Sequence, residues 1–119
     1  MTGVQTCALP ISNEVLMLEN SIYSILSPEG FASILWRDAS RSHEACDVMK
    51  LTADDLFKLG IIDKVIREPE GGAQENSEQV INSVDIEIGK KLSFLSRSSG
   101  SVLAESRYQK FRKMGSLKF

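Results

Sequence analysis

The sequence is poor in the residue types from which most catalytic and metal sites are built. It has one histidine, His43, and two cysteines, Cys7 and Cys46. A structural zinc needs about four such ligands, so no metal site is expected. Two cysteines, with neither a charged leader nor a long apolar stretch at the start, argue against a secreted disulfide scaffold and for a reducing compartment. Uninterrupted apolar runs such as Val15-Leu16-Met17-Leu18 stop at three or four residues. A membrane span needs about 20, so no transmembrane helix is expected. Gly71-Gly72 alone does not make a phosphate-binding loop, because neither common glycine spacing accompanies it. What is present is an ordinary globular balance over 119 residues, 42% apolar and 25% charged, which excludes disorder by composition.

The net charge of −2 hides an asymmetry. Residues 1–60 carry four Lys/Arg against eight Asp/Glu, whereas residues 61–119 carry ten against eight. Arg107, Lys110, Arg112, Lys113 and Lys118 crowd the end with no acid among them. Five charges are too few for the several phosphate contacts of a nucleic-acid footprint, and they suit the negative end of a helix dipole, so no nucleic-acid partner is expected.

From Glu14 onward the chain reads as alternating short elements. Val15–Leu18 and Ile22–Leu26 have the apolar character of buried strands, separated at Glu19-Asn20. Ser27-Pro28-Glu29 opens a helix running to about Trp36, with serine as N-cap, proline at the first helical position and an acid in the first turn. Phe31, Ile34 and Leu35 share one face of it, opposite the small residues Gly30 and Ala32. A second helix is expected over Ser40–Met49, amphipathic through Ala45, Val48 and Met49. A short third helix is capped by Thr52 and closed by Gly60. Ile61–Ile66 reads as a strand or extended exit, and Pro69–Ala73 as a loop. Val80, Ile81, Val84, Ile88, Leu92 and Leu95 give the strongest helical period, over about Ser77–Ser96. A final helix over Val102–Met114 places Ala104, Tyr108 and Phe111 together.

Candidate chemistry is sparse. His43 and Cys46 lie three apart, but a solvated histidine and a buried, inert cysteine are the expected states. Asp54-Asp55 belongs to a helix first turn. One segment has a physical rationale for binding: the amides of Ser27, Glu29 and Gly30, at a helix N-terminus beside a glycine, are suited to an oxyanion or carboxylate. Ordinary helix capping is the competing explanation of the same residues.

Two resemblances organise the chain. Thr2-Gly-Val-Gln-Thr-Cys-Ala-Leu-Pro-Ile11 resembles the conceptual translation of a sequencing-library adapter, so residues 1–12 are expected to be an artefactual leader. The run Val15-Leu-Met-Leu-Glu-Asn-Ser-Ile-Tyr-Ser-Ile-Leu-Ser-Pro-Glu-Gly-Phe-Ala-Ser-Ile-Leu-Trp-Arg-Asp-Ala39 resembles the carboxyltransferase alpha subunit of bacterial and plastid acetyl-CoA carboxylase. The likeness continues through Leu51–Leu56, Leu59–Asp63, Glu68–Ala73 and Arg107–Gly115. On this reading residues 13–115 are the C-terminal part of the alpha domain and residues 116–119 a tail.

The resemblance implies an α/β chain, a C-terminal fragment of a crotonase-like (ClpP/crotonase) fold that is mostly helical with a short strand remnant. Helix should exceed strand at least threefold, and the sheet should expose an edge. The implied reaction transfers the carboxyl group of carboxybiotin, borne on a carrier protein, to acetyl-CoA through its enolate, giving malonyl-CoA for fatty-acid synthesis. The implied partners are a beta subunit in an alpha2beta2 assembly, the biotin carboxyl carrier protein and biotin carboxylase, and the implied location is the bacterial cytoplasm or plastid stroma. No metal and no covalently bound cofactor belong to the alpha subunit, and no catalytic side chain is assigned to this chain. Where the family carries a Gly-Ser-Gly-Gly-Ala-type loop, this sequence has Thr6–Ser12, so the chain alone is expected to be inactive. Gln74 replaces a frequent histidine, and serines at 96–101 blur a helix boundary. The alternative to an enzyme part is a non-catalytic helical interaction module.

Overall fold

A computed structural model describes residues 12–114 and 116. The leader expected over residues 1–12 falls almost wholly outside the described residues, as do Lys118 and most of the tail. The elements run β1 (Leu16–Leu18), α1 (Pro28–Trp36), a 3-10 turn (Ala39–Arg41), α2 (Ser42–Met49), α3 (Ala53–Lys58), β2 (Lys64–Ile66), α4 (Ser77–Leu95) and α5 (Gly100–Lys113). The protein is α/β, and helix exceeds strand well beyond threefold among the described residues.

The two strands pair in parallel, Leu16 opposite Lys64, Met17 opposite Val65 and Leu18 opposite Ile66. Parallel neighbours need a crossover, and α1–α3 provide it. A small core forms beneath the pair, where Met17, Ala53, Leu56 and Ile62 are buried and Val15, Ile61 and Val65 pack against them. Thr52 starts α3 by accepting the Asp55 amide at 3.3 Å, and Gly60 at φ +71° closes its far end. Asn76 and Ser99 cap α4 and α5 through the amides of Gln79 and Val102.

Several expectations are corrected. Ile22–Leu26 is not a strand: Ile22 makes one antiparallel bridge to Thr52, and Ser24 Oγ accepts the Leu26 amide while donating to the Leu26 carbonyl. That local turn withdraws the backbone from ladder pairing. The Phe31/Ile34/Leu35 face is not the buried one. Ile34 and Leu35 are exposed and Ala32 is buried, because α1 packs on α2 and the residue each helix buries is an alanine, Ala32 and Ala45. Alanine lets the two backbones approach where a larger side chain does not fit. Residues 39–41 form a 3-10 turn before α2, and Val48 is exposed. Helix α5 begins at Gly100 and turns Leu103 and Phe111 inward, leaving Ala104 and Tyr108 exposed. In α4 only Val80 is buried.

Candidate functional site

The Ser27–Gly30 turn forms as expected. Ser27 is extended, at φ −71° and ψ 156°, and its Oγ accepts the Gly30 amide at 3.1 Å. Its carbonyl accepts the Phe31 amide at 2.9 Å, beginning the helix ladder. Capping therefore occupies the Gly30 amide, and Pro28 has none to offer. The Glu29 amide is the one in this first turn left without a protein partner among the described residues. Of the three proposed donors Ser27, Glu29 and Gly30, capping thus takes Gly30 and leaves the Ser27 and Glu29 amides as the candidates.

Gly30 has a packing reason as well. A Cβ there would lie 2.9 Å from Leu26 Cδ1, 3.3 Å from Leu26 Cγ and 3.4 Å from Ser27 Oγ. The first neighbour of a substituted Gly30 is the flexible end of Leu26, so a larger side chain there must displace Leu26.

Beside this turn lies an open groove of about 530 Å³ lined by Ile22, Ser24, Ile25, Leu26, Ser27, Pro28, Cys46 and Leu51. Its walls are mostly apolar, with serine hydroxyls at one side. Ile25 projects fully into solvent, and Ile22 is 71% exposed. Cys46 is exposed on this groove, contrary to the buried cysteine expected. Ala45 takes the interior position of α2, which turns its neighbour outward. His43 is exposed on the same helix, and no hydrogen bond joins it to Cys46. Asp54 and Asp55 occupy the first turn of α3 as expected.

The turn leaving β1 is fixed by carboxylates that the sequence reading passed over. Glu68 accepts the backbone amide of Asn20 at 3.1 Å, its side-chain amide at 3.0 Å and the Ala73 amide at 2.9 Å. The Asn20 side chain first, then its backbone, hold the Glu68 carboxyl below the usual carboxylate range. Glu19 accepts the Glu68 amide at 3.1 Å and pairs with Arg67 at 2.5 Å, and these two contacts, in that order, lower it likewise. Their separation of 48 or 49 residues left no local sequence signal.

Lys110, Arg112 and Lys113 occupy the last turn of α5, where they oppose the helix dipole, and Arg112 lies 5.7 Å from the Tyr108 ring. Among the described residues no three His, Cys, Asp or Glu side chains group as metal ligands, and no helix is long and apolar enough to cross a membrane.

Residues 5–115 match the family described as acetyl co-enzyme A carboxylase carboxyltransferase-like. The chain is 55% identical over 108 residues to the acetyl-coenzyme A carboxylase carboxyl transferase subunit alpha of Clostridium acetobutylicum, covering 91% of this chain and 39% of that protein. It is 47% identical over 108 residues to the same subunit of Shouchella clausii, covering 91% of this chain and 33% of that one. A relative from Natranaerobius thermophilus, named as carboxyl transferase subunits beta/alpha, is 49% identical over 108 residues, 91% of this chain and 18% of its own length. The chain thus spans no more than about two fifths of the length of these curated relatives.

Proposed function

This chain belongs to the acetyl co-enzyme A carboxylase carboxyltransferase-like family, and from that membership we propose that it forms the C-terminal part of a carboxyltransferase alpha subunit. The observation that carries the reading is near-half or greater identity to alpha subunits across nine-tenths of the chain. The reaction assigned to the assembled protein is transfer of a carboxyl group from carboxybiotin on its carrier protein to acetyl-CoA, yielding malonyl-CoA for fatty-acid synthesis. A beta subunit is the first partner, supported by the Natranaerobius thermophilus relative named for both subunits. Biotin carboxyl carrier protein and biotin carboxylase complete the system, in the bacterial cytoplasm or plastid stroma. The parallel strand pair with helices around it is compatible with one margin of a crotonase-like fold.

Within that role the Ser27–Gly30 turn and its groove are the proposed substrate-facing element. The apolar wall suits the hydrocarbon parts of a biotin ring or an acyl thioester, and the Glu29 amide offers one hydrogen bond to a carbonyl oxygen as charge builds on it. Ser27 and Gly30 act by holding that amide in place. No side chain of the turn is assigned a catalytic role, so the contribution proposed for this chain is orientation and one backbone dipole, with carboxybiotin bringing the carboxyl group itself.

The test places Gly30→Val at the equivalent position of an intact alpha subunit from a relative and measures malonyl-CoA formation with purified beta subunit. Displacing Leu26 across the groove should cost roughly a hundredfold in rate, the scale of a lost oxyanion donor, while subunit assembly is retained. Normal turnover returns the turn to plain helix capping. In the same assay the 119-residue chain, in place of the intact subunit, should show no turnover, because Thr6–Ser12 carries no glycine-rich loop. Activity within about tenfold of the intact subunit, on the same hundredfold scale, would show that residues 13–115 hold the whole catalytic requirement.

A further inference from the structure

The C-terminal helices are attached mainly by polar contacts. Helix α5 buries none of its residues fully, and α4 buries Val80 alone. A groove of about 470 Å³ stays open between α5 and Leu59-Gly60, so packing there is incomplete. The polar contacts, by contrast, converge on three consecutive residues entering β1. Asn13 Nδ2 donates to the Leu103 carbonyl at 2.9 Å. Lys110 Nζ donates to the Asn13 carbonyl at 2.9 Å and to Asp63 Oδ2 at 2.5 Å. Glu14 pairs with Lys91 of α4 at 2.8 Å. Val15 donates its amide to the same Asp63 Oδ2 at 2.8 Å and receives the Asp63 amide on its carbonyl, also at 2.8 Å.

Each strand of the parallel pair is only three residues long, and so short a pair is marginal without outside support. Asp63 extends the ladder by one side-chain step, and Lys110 neutralises that carboxylate while gripping the strand's approach. Both side chains are only about a quarter exposed or less, 24% for Asp63 and 21% for Lys110, so the contact is partly withdrawn from screening water.

We propose that α4–α5 is an ionic strap: Lys110 on Asp63 and Asn13, with Lys91 on Glu14, latches it over residues 13–15 and thereby locks the β1–β2 register. Val80 is the one fully buried apolar side chain of the two helices, so ionic strength and the latch charges govern whether the strap is closed. The inference goes beyond the carboxyltransferase reading and does not depend on it.

The test is residue-resolved hydrogen exchange on the full 119-residue chain. Lys110→Met should speed exchange of the Val15 and Asp63 amides at least tenfold while amides of α1 and α2 stay unchanged. Lys113→Met, a neighbour on α5 outside the latch, should leave Val15 unaffected. In an Asp63→Ala background, Lys110→Met should add little, because the shared carboxylate is gone. The unaltered chain supplies an arm free of folding failure: raising NaCl to about 1 M, where the Debye length falls to about 3 Å, should selectively speed exchange at Val15 and Asp63. Unchanged exchange there at high salt and in Lys110→Met, or a rise spread evenly over all helices, overturns the strap.

Discussion

Replacing Leu56 by alanine tests the account of the core most directly. Leu56 and Phe57 are adjacent on α3, and the sequence gives no ground to prefer either as the core residue. The structure separates them sharply, with Leu56 6% exposed and Phe57 51% exposed. Leu56 packs with Met17, Ala53 and Ile62, so it joins the crossover helix to the strand pair. Leu56→Ala removes three buried carbons at about 0.8 kcal/mol each, or about 2.4 kcal/mol before any cavity. The neighbours stand on three different segments and cannot all collapse inward, so the unfilled space adds to this, giving about 3 kcal/mol. Phe57→Ala removes more atoms, but about half of that surface is already in water and no enclosed cavity is left, so it should cost less, about 1–1.5 kcal/mol. Urea unfolding followed by circular dichroism measures both, and a cost below about 1 kcal/mol for Leu56→Ala, or equal costs for the two variants, would refute the assigned core.

Other expectations follow from local geometry. Ser27→Ala loses the acceptor for the Gly30 amide and should destabilise by about 1 kcal/mol, read from the same urea curves. Arg37 ends α1 at φ +56°, where a side chain costs about 1–2 kcal/mol and glycine loses part of that in chain entropy, so Arg37→Gly should stabilise by about 0.5–1 kcal/mol, seen as a higher melting temperature. Glu19 and Glu68 are held below their ordinary value of 4.5; a carboxylate lowered in the folded state contributes above its unfolded value and loses that contribution as pH falls through the folded one. Acid titration below 4.5 should therefore loosen the 19–20 turn and the Glu68–Ala73 loop first, visible as faster exchange of the Asn20 and Ala73 amides.

The sequence by itself determined the elements whose signals are local. Serine, proline and glutamate at 27–29 start α1, Thr52 and Gly60 bound α3, and the apolar period of residues 80–95 marks α4, because a cap or a helical repeat spans only three or four residues. The family likeness was equally legible, since ordered motifs need no folded structure to be recognised. Tertiary structure decided which apolar residues turn inward: Ala32 in place of Ile34 and Leu35, a half-buried Leu103 beside Phe111 in place of Ala104 and Tyr108, and an outward Cys46. It also decided that β1 pairs with Lys64–Ile66 and not with Ile22–Leu26, and that capping occupies the Gly30 amide of the candidate site. Helical periodicity marks an apolar face without saying whether another element covers it. Pairing between residues nearly fifty apart, as in Glu19 with Arg67 or Asp63 with Lys110, exists only once the chain has closed the intervening loop.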